Sequence, residues 1–321
     1  MPEQGDQGLY YPDGSFKSDK QIKLEAIENG SFEWEGQSDL EAIRNRSFEE
    51  WQKEVIQRKG SRLELGGIPE LQAINFNGKH PQTLALIGDV HAGAENCDYE
   101  MFGSTVELVK NHPNVKAVLM GDLIDAFFWN QALQGDMLNH KEQISYMQSA
   151  LDSMDGEIVG AFRGNHERWA DKTTVNPLYH KWIEKYKTPY FEGKGVLQVN
   201  YPKMRYNIEG SHRFAGHSMY NDNHPQMRES RFGQQGLDVY ISGHTHKKSY
   251  HSQYANVQGE RIQQHFITVG AFKGHDGYGE DKGFDPFKDE QLGAVFITLY
   301  PNKKQVGVDM SLEQVYRRLD L

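Results

Sequence analysis

The chain has 321 residues, of which 37% are hydrophobic and 12% aromatic, a composition typical of a globular protein with a polar surface. Its single cysteine, Cys97, excludes an internal disulfide and provides no thiolate cage for a metal, so we expect a reducing, cytoplasmic setting. The formal net charge of −10 argues against a broad basic surface that wraps duplex DNA, and no apolar run reaches the ~20 residues of a membrane helix.

Residues 1–80 are acidic and rich in Gly, Ser and Gln, and they contain a short repeat. Residues 24–33 recur as 40–49 at an offset of sixteen residues, with eight of ten positions identical. This period is too short for the usual solenoid units. Two helix-plus-turn units, each burying its Leu, Ile and Phe, explain the pattern, so we predict a small N-terminal helical accessory region over 1–80. The alternative is chance similarity in a segment that packs on the main domain.

The remainder of the chain alternates short apolar runs with amphipathic stretches. Residues 83–87 form an apolar run that stops at a glycine, as a buried strand does, and 102–109 has the spacing of an amphipathic helix. Further strands are predicted over 116–120, 157–162, 212–215, 239–242, 266–269 and 294–300, and a further helix over 142–154. This alternation predicts an α/β catalytic region over 81–310, followed by an amphipathic C-terminal helix over 311–321.

Five short segments, each closing an apolar run, carry polar side chains suited to metal binding. In two of them the polar residues are two positions apart, so on an extended backbone both side chains point to the same side and can contact one ion. Loops at strand ends are also where α/β folds place their sites. Together the five segments indicate a two-metal hydrolytic centre. They are Gly88-Asp89-Val90-His91, Gly121-Asp122-Leu123-Ile124-Asp125, Gly164-Asn165-His166-Glu167, Gly216-His217 and Gly243-His244-Thr245-His246.

The donor types in these segments favour borderline divalent cations. Asp122 supplies a carboxylate that can bridge two ions, Asn165 supplies an amide oxygen, and the histidines supply imidazole nitrogens. Such a mixed set suits Mn, Fe, Zn or Ni better than Ca or Mg, which prefer oxygen ligands. We therefore predict two divalent metal ions, with Mn favoured. Without metal ions, the cluster would be costly to bury unpaired.

On these motifs, residues 83–300 resemble the calcineurin-like metallophosphoesterase superfamily. The resemblance implies a four-layer α/β/β/α sandwich with two mixed β-sheets and a dinuclear site at one edge of the sheets. It implies that one ion is held by Asp89, His91, Asp122 and His246. It implies that the other is held by Asp122, Asn165, His217 and His244, with His212 as the alternative to His217.

Two-metal chemistry sets the expected mechanism. Ions about 3.5–4 Å apart lower the pKa of a bridging water and orient it for in-line attack on phosphorus. The resemblance implies that His166 stabilises the transition state or protonates the leaving oxygen. Asp125, three residues after Asp122, is expected to orient and charge His166, as a carboxylate does for a catalytic imidazole. The alternative role for Asp125 is a loop cap.

Basic residues concentrate between residues 161 and 213, where ten Lys or Arg face five acidic residues. Arg163 and Arg168 flank the third motif and are the candidates for binding a phosphate group, with surface ion pairs as the alternative explanation. Some of the aromatic side chains near the second and third motifs are candidates for stacking on bases, with core packing as the alternative. They are Phe127, Phe128, Trp129, Trp169, Tyr179, Trp182 and Tyr186.

One departure from the family pattern bears on the substrate. Ser/Thr protein phosphatases carry Asp-Arg-Gly after the second motif, whereas this chain has Asp125-Ala126-Phe127, which disfavours that activity. We predict a metal-dependent phosphodiesterase for nucleic acid or nucleotides, with single-stranded nucleic acid as a candidate partner and no membrane partner. The alternatives are a phosphomonoesterase for a small metabolite or phosphoprotein, and a non-catalytic scaffold. The oligomeric state is left open.

Overall fold

The computed structural model describes residues 47–50, 52, 53, 56, 70–126, 137–174, 182, 185–274 and 291–321. The chain divides into two units, Met1–Ile68 and Pro69–Leu321. In the first unit a helical turn begins at Phe48, where the side chains of Ser47 and Glu50 each accept a hydrogen bond from the other's backbone N–H. This turn lies in the second copy of the repeat, but Phe48 is exposed rather than buried. The first copy lies outside the described residues.

Twelve strands in the described part of the second unit form two six-stranded sheets. The strands are β1 (Glu70–Asn75), β2 (Gln82–Ile87), β3 (Val115–Leu119), β4 (Ile158–Phe162), β5 (Tyr190–Phe191), β6 (Gly195–Asn200), β7 (Arg205–Ser211), β8 (Val239–Ser242), β9 (Ser249–Val257), β10 (Glu260–Thr268), β11 (Val295–Leu299) and β12 (Val306–Asp309). The helices are α1 (Tyr99–Asn111), α2 (His140–Ser153), α3 (Asn165–Thr174), α4 (His224–Phe232) and α5 (Leu312–Leu319).

Both sheets are mixed. Sheet I has the strand order β1-β6-β7-β8-β10-β9, and sheet II has the order β12-β11-β2-β3-β4-β5. In sheet II the strands from β2 to β5 pair in parallel, whereas β11 and β12 pair antiparallel to their neighbours. In sheet I, β8 lies parallel between β7 and β10. The carboxyl ends of parallel strands meet at one edge of a sheet, which is where ligand sites form in α/β folds.

The apolar side chains divide into layers according to strand alternation. On β2, Leu84 and Leu86 pack between the two sheets, while Ala85 and Ile87 point to the opposite face and pack with the core formed by α1, α2 and α5. On the outer face of sheet I, buried Tyr240 packs with Met227 of α4. The layers are therefore helices, sheet II, sheet I and α4, which confirms the predicted α/β/β/α sandwich.

Several element boundaries differ from those expected from the sequence. β1 precedes residue 81, and β7 ends at Ser211, so the strand predicted over 212–215 is in fact the loop that follows β7. The unpredicted strands include β9, an edge strand whose residues are all half-buried or exposed, and β5, which has only two residues. Short or solvated strands lack the apolar run that marks a buried one. No helix among the described residues has the length and hydrophobicity needed to span a bilayer.

A buried carboxylate lies beneath α4. Glu209 on β7 is fully buried, and neither of its oxygens has a hydrogen-bond partner among the described residues. Burial raises the pKa of Glu209 to about 8; the nearby charge of Glu229 raises it as well, and the charge of Lys194 opposes the shift. Lys194 itself pairs with Glu229 at 2.7 Å. The Glu209 carboxyl is therefore protonated in the folded protein at neutral pH.

This burial predicts a pH-dependent stability. The unfolded chain releases the Glu209 proton near pH 4.5 and the folded chain near pH 8, so the free energy of unfolding falls as pH rises through that window. We expect Glu209→Gln to remove this dependence and to raise Tm relative to the wild type at about pH 9, with little change at about pH 5. Thermal unfolding at both pH values tests this. The matched control is the exposed Glu260→Gln, and a variant that is destabilised at both pH values would contradict the prediction.

Candidate metal centre

The metal-binding side chains predicted from the first three motifs meet those of the last motif at one edge of the two sheets. Asp89 follows β2, Asp122 follows β3, and Asn165 opens α3 just beyond β4. His244 follows β8 of sheet I, and its backbone N–H donates to the Asp89 carboxylate at 3.0 and 3.1 Å. The strand ends of the two sheets are therefore joined directly through these motifs.

One donor group consists of Asp89, His91 and His246. The Nε2 atoms of His91 and His246 are 3.0 Å apart, and His246 Nε2 lies 3.4 Å from Asp89 Oδ1. Atoms that bind one first-row ion at roughly 2.1 Å are separated from one another by about 3.0–3.4 Å. The three donor atoms therefore have the spacing of ligands to a single cation.

A second donor group surrounds His212 Nε2. This atom lies 3.0 Å from Asp122 Oδ2, 3.1 Å from Asn165 Oδ1 and 3.3 Å from His244 Nδ1. The separations again match those of ligands to one ion. The chain thus provides two adjacent donor groups that combine carboxylate, amide and imidazole atoms, a set that fits borderline divalent metals.

Outer contacts direct two of the imidazoles. His91 Nδ1 lies 2.8 Å from Asp125 Oδ1, and His212 Nδ1 lies 2.8 Å from the Met120 carbonyl oxygen. Because these oxygens accept hydrogen bonds, the Nδ1 atoms carry protons and donate them. The two Nε2 atoms then face the donor groups, as in the carboxylate–histidine–metal arrangements of known metal sites.

The carboxylates of the site favour a positive charge on His212. Burial lowers the pKa of His212, but the charge and hydrogen bond of Asp122 and the charge of Asp89 outweigh burial and raise that pKa to about 10. Burial and the neighbouring His212 lower the pKa of His244 to about 4, so this imidazole stays neutral and able to act as a ligand. A site that draws a proton onto one of its histidines also attracts a metal cation.

The backbone is strained at five of the seven donor residues. Asp89, His91, Asp122, His244 and His246 have φ values of 50°, 51°, 52°, 73° and 56°, in the left-handed region that L-residues rarely adopt. Such strain persists only where the surrounding structure imposes it, and it concentrates at functional sites.

Glycines leave room for the carboxylates. A Cβ atom on Gly164 would overlap the carboxylate of Asp122, and a Cβ atom on Gly243 would overlap that of Asp89. Each of these glycines thus makes space for an acidic side chain from a different motif, which explains why glycine precedes the polar residues.

Glu167 was not predicted as a site residue, yet it clamps two of the motifs together. Its buried carboxylate accepts hydrogen bonds from the backbone N–H groups of Asp122 (2.9 Å), Leu123 (2.6 Å) and Gly164 (3.0 Å). A further hydrogen bond joins the same two motifs: the backbone N–H of His166 donates to Asp122 Oδ1 at 2.9 Å. The only signal in the sequence is the acid at the end of the Gly164-Asn165-His166-Glu167 motif.

Asp125 is close to His166, but in a different way from the one expected. His166 Nδ1 hydrogen-bonds to the backbone carbonyl of Asp125, while the Asp125 carboxylate binds His91 and, at 3.1 Å, Lys273. The carboxylate therefore acts on a candidate metal ligand, and the carbonyl orients the candidate acid. The His166 ring lies beside the second donor group, with Nε2 3.9 Å from Asp122 Oδ2, and it packs 4.6 Å from the Trp169 ring.

Lys273 is a second residue that the sequence analysis missed. Its side chain is buried, and its ammonium pairs with the Asp125 carboxylate beneath His91. Together with His91 it keeps the pKa of Asp125 well below its usual range, although burial alone would raise that pKa. The sequence offers no signal for Lys273, because it lies 148 positions from its partner.

The structure does not bring His217 to the donor groups. His217 is exposed on the loop after β7, whereas the alternative residue, His212, lies at the end of that strand and contacts Asp122. The difference follows from the end of β7 at Ser211, because the position that directly follows the strand is His212.

The predicted phosphate-binding arginines have protein partners. Arg163 pairs with Glu192 at 2.5 Å and with Asp171, and Arg168 donates to the Glu192 carbonyl at 3.0 Å. These contacts favour the ion-pair explanation for Arg163, whereas the partner of Arg168 is a backbone carbonyl. Of the aromatic candidates, Trp169 is 36% exposed, whereas Trp182 and Tyr186 are buried. Phe127, Phe128, Trp129 and Tyr179 lie outside the described residues.

Comparison with known proteins identifies a family. The calcineurin-like phosphoesterase family model matches residues 83–248, just over half of the chain. Among solved structures, YfcE, a phosphoesterase from E. coli, is 16% identical over 72% of this chain and 100% of its own, with a TM-score of 0.36. Vacuolar protein sorting 29 from Cryptosporidium parvum is 15% identical over 71% and 97% of the two chains, with a TM-score of 0.35.

A further similar structure is the nuclease MPE from Pseudomonas putida. It is 13% identical over 70% of this chain and 87% of its own, with a TM-score of 0.30. No curated protein sequence matches the chain.

The two candidate histidines can be separated by metal binding. We expect His212→Asn to lose the ion of the second donor group, because its Nε2 lies within 3.3 Å of each of the other three donor atoms. We expect His217→Asn to retain that ion, because His217 is exposed and belongs to neither donor group. The measurement is the number of Mn ions retained per chain after dialysis. Equal metal loss in both variants, or loss only in His217→Asn, would contradict the assignment.

The positions of Asp125 and His166 predict different defects. We expect Asp125→Asn to weaken metal binding about 10- to 100-fold, the usual effect of removing a carboxylate behind a ligating histidine. We expect His166→Asn to bind metal with the affinity of the wild type and to lose turnover. Titration with Mn gives the affinity, and saturating metal in the activity assay isolates turnover. Unchanged metal affinity in Asp125→Asn would show that its carboxylate does not act through His91.

Proposed function

The chain belongs to the calcineurin-like phosphoesterase family, and from that premise we propose that it is a phosphodiesterase acting on nucleic acid or nucleotides. Family membership makes it a metal-dependent phosphoester hydrolase. The observation that carries the proposal is the pair of adjacent donor groups with His166 beside them, which gives the chain the full set of groups that two-metal phosphoester hydrolysis requires.

We assign the donor residues to two ions. Asp89, His91 and His246 would hold the first, and Asn165, His212 and His244 would hold the second, with Asp122 supplying a carboxylate to both. Mn is the preferred metal, because the set combines oxygen and imidazole donors. Divalent ions in such a site lower the pKa of a water molecule and neutralise the phosphate oxygens.

The chain's own residues supply the remaining steps. The Asp125 carbonyl and the Asp122 carboxylate hold His166, so that its Nε2 lies beside the second donor group, 3.9 Å from Asp122 Oδ2. His166 donates a proton to the leaving oxygen as the phosphorus–oxygen bond breaks. Trp169, in contact with the His166 ring and partly exposed, forms part of the wall against which the leaving group lies.

The cations near the donor groups favour a diester over a monoester. Lys273 is buried and ion-paired with Asp125, and Arg163 is ion-paired with Glu192 and Asp171. Arg213, which directly follows His212, is exposed, and its side chain makes no hydrogen bond or ion pair among the described residues. Arg213 is thus the unpaired arginine that directly adjoins a donor residue in the described part of the chain. Its one positive charge matches the single negative charge of a diester better than the two charges of a monoester dianion.

Hydrolysis of two surrogate substrates tests the proposal. With Mn-loaded protein we expect bis-p-nitrophenyl phosphate to be cleaved with a higher kcat/KM than p-nitrophenyl phosphate. We expect Asp122→Asn, which loses the shared carboxylate, to reduce the rate at least about 100-fold. A control at an exposed acid outside the site, Glu260→Gln, should retain the wild-type rate. Preference for the monoester would transfer the assignment to a phosphomonoesterase, and no activity on either substrate despite bound Mn would refute the diesterase.

A further inference from the structure

A positively charged, aromatic surface adjoins the metal centre on the sheet I side. It is formed by the loop that follows His212 and by the outward face of α4, and we call it the α4 surface. Its residues are Arg213, Tyr220, His224, Arg228, Arg231 and Phe232. On the proposed function described above, which this inference deepens, we propose that the α4 surface binds single-stranded nucleic acid and leads one strand into the metal centre.

The α4 surface is attached to the site by direct contacts. Its first residue, Arg213, follows the donor His212. The loop returns against α4 at Gly216, where a Cβ atom would lie 3.2 Å from Arg228 Cδ and 3.3 Å from His224 Nδ1. The start of α4 is fixed to the end of β8 by Gln226, which donates to Ser242 Oγ at 2.8 Å, two residues before the donor His244.

The arginines of the α4 surface are not neutralised. Arg213, Arg228 and Arg231 are exposed, and none of their side chains makes an ion pair or hydrogen bond among the described residues. The acids of the same segment have other partners: Glu229 is buried against Lys194, and Asp222 lies 3.9 Å from Lys247. Arg228 and Arg231 are three positions apart on one helix, so their Cβ atoms lie about 5–6 Å from each other and their guanidinium groups can contact the same backbone.

Aromatic rings lie among these cations. The Tyr220 side chain is 95% exposed and the Phe232 side chain 80% exposed, with the Arg228 guanidinium 5.9 Å from the Phe232 ring centre. An exposed ring in direct contact with an exposed arginine offers both a flat surface and a positive charge to a ligand. Arginines that bind phosphates, interleaved with rings that stack on bases, are the features that bind single strands without sequence preference.

A pocket of about 330 Å3 lies between the loop and the helix. Asn221, His224, Met227, Arg228, Arg231 and Phe232 line it. The exposed side chains of Arg228 and Arg231, which make no hydrogen bond or ion pair among the described residues, lie on its wall. A pocket with two such cations fits a phosphate better than an apolar peptide side chain.

Stacking of bases on Tyr220 and Phe232 is possible for a single strand but not for a duplex. In a duplex the bases are paired and their faces are covered by neighbouring bases, so Tyr220 and Phe232 would find no free surface to stack on. In a single strand every base offers a face, and base–aromatic stacking is tolerant of sequence. The α4 surface therefore predicts binding of a single strand over a duplex.

Fluorescence anisotropy with labelled oligothymidylate tests this inference. The probe carries phosphorothioate linkages, which resist hydrolysis, and the protein is the Mn-loaded full chain at several NaCl concentrations. We expect the R228Q/R231Q double variant to reduce the slope of log K against log salt concentration by about 1.4, since each phosphate contact on a single strand contributes roughly 0.7. We expect Tyr220→Ala to weaken binding about 10-fold or more with an unchanged slope.

The control is the double variant K303Q/R317Q, which removes two exposed positive charges elsewhere and should bind like the wild type. A duplex of the same length and a phosphoserine peptide are the competing ligands. Equal affinity for the duplex, preferential binding of the peptide, or an unchanged salt slope in R228Q/R231Q would overturn the inference.

The outcome is separable from that of the proposed function. Hydrolysis of bis-p-nitrophenyl phosphate without binding of oligothymidylate would leave the diesterase in place and refute the α4 surface. Oligothymidylate binding that depends on Arg228 and Arg231, in a protein that cleaves only the monoester, would support the surface and refute the diesterase.

Discussion

The candidate metal centre depends on one buried carboxylate that lies outside both donor groups. Glu167 accepts three backbone N–H groups, two from the turn after β3 and one from the turn after β4. Backbone N–H groups in such tight turns have no strand partner, and burying them unpaired would cost about 1–3 kcal/mol each. By binding them together, Glu167 fixes Asp122 and Asn165 relative to each other. It also places His166, the residue before it, against Asp122.

Two of the candidate histidine ligands are likewise held in position by residues outside the donor groups. His91 is held by Asp125, which is held by Lys273, and His212 is held by a carbonyl oxygen of the strand-end turn. Each of these contacts fixes the proton on Nδ1 and leaves Nε2 for the metal side. The positive φ values of the donor residues show what this arrangement costs the backbone. The sheets supply the rigidity that allows turns of this kind to persist.

The sequence predicts the parts of this site that depend on local pattern. Asp89 and His91, or His244 and His246, are two positions apart after an apolar run, and a strand end turns that spacing into a shared direction. The four-layer architecture follows from the resemblance carried by the same motifs. The sequence pattern does not predict His212 as the ligand, because the choice between His212 and His217 depends on where β7 ends. Apolar patterning placed the strand over 212–215, and a shift of a few residues exchanges the strand-end histidine for one on the open loop.

Pairings over long separations are the part that sequence alone does not give. The spacing of three residues between Asp122 and Asp125 places both in one turn, but it does not tell whether the Asp125 carboxylate turns to His166 or to His91. The Asp125 carboxylate turns to His91, and there it also pairs with Lys273, which belongs to a distant segment of the chain. Arg163 and Arg168 present the converse case. Their position beside a motif suggests phosphate binding, yet Glu192, more than twenty residues away in the chain, engages both.

The net charge of the chain alone does not predict whether it binds an anionic partner. A formal charge of −10 disfavours binding to a polyanion over the whole surface, but electrostatic interactions in physiological salt are screened within about 8–10 Å. What matters to a strand is therefore the charge it meets within that distance. On α4 the charges are sorted by face: Glu229 points inward and is neutralised by Lys194, while Arg228 and Arg231 point outward without acidic partners among the described residues. An acidic chain can in this way present a local cationic surface beside a candidate metal centre while its net charge repels polyanions elsewhere. On the proposed function, this surface would direct an anionic strand to the edge of the sheets where the donor groups lie.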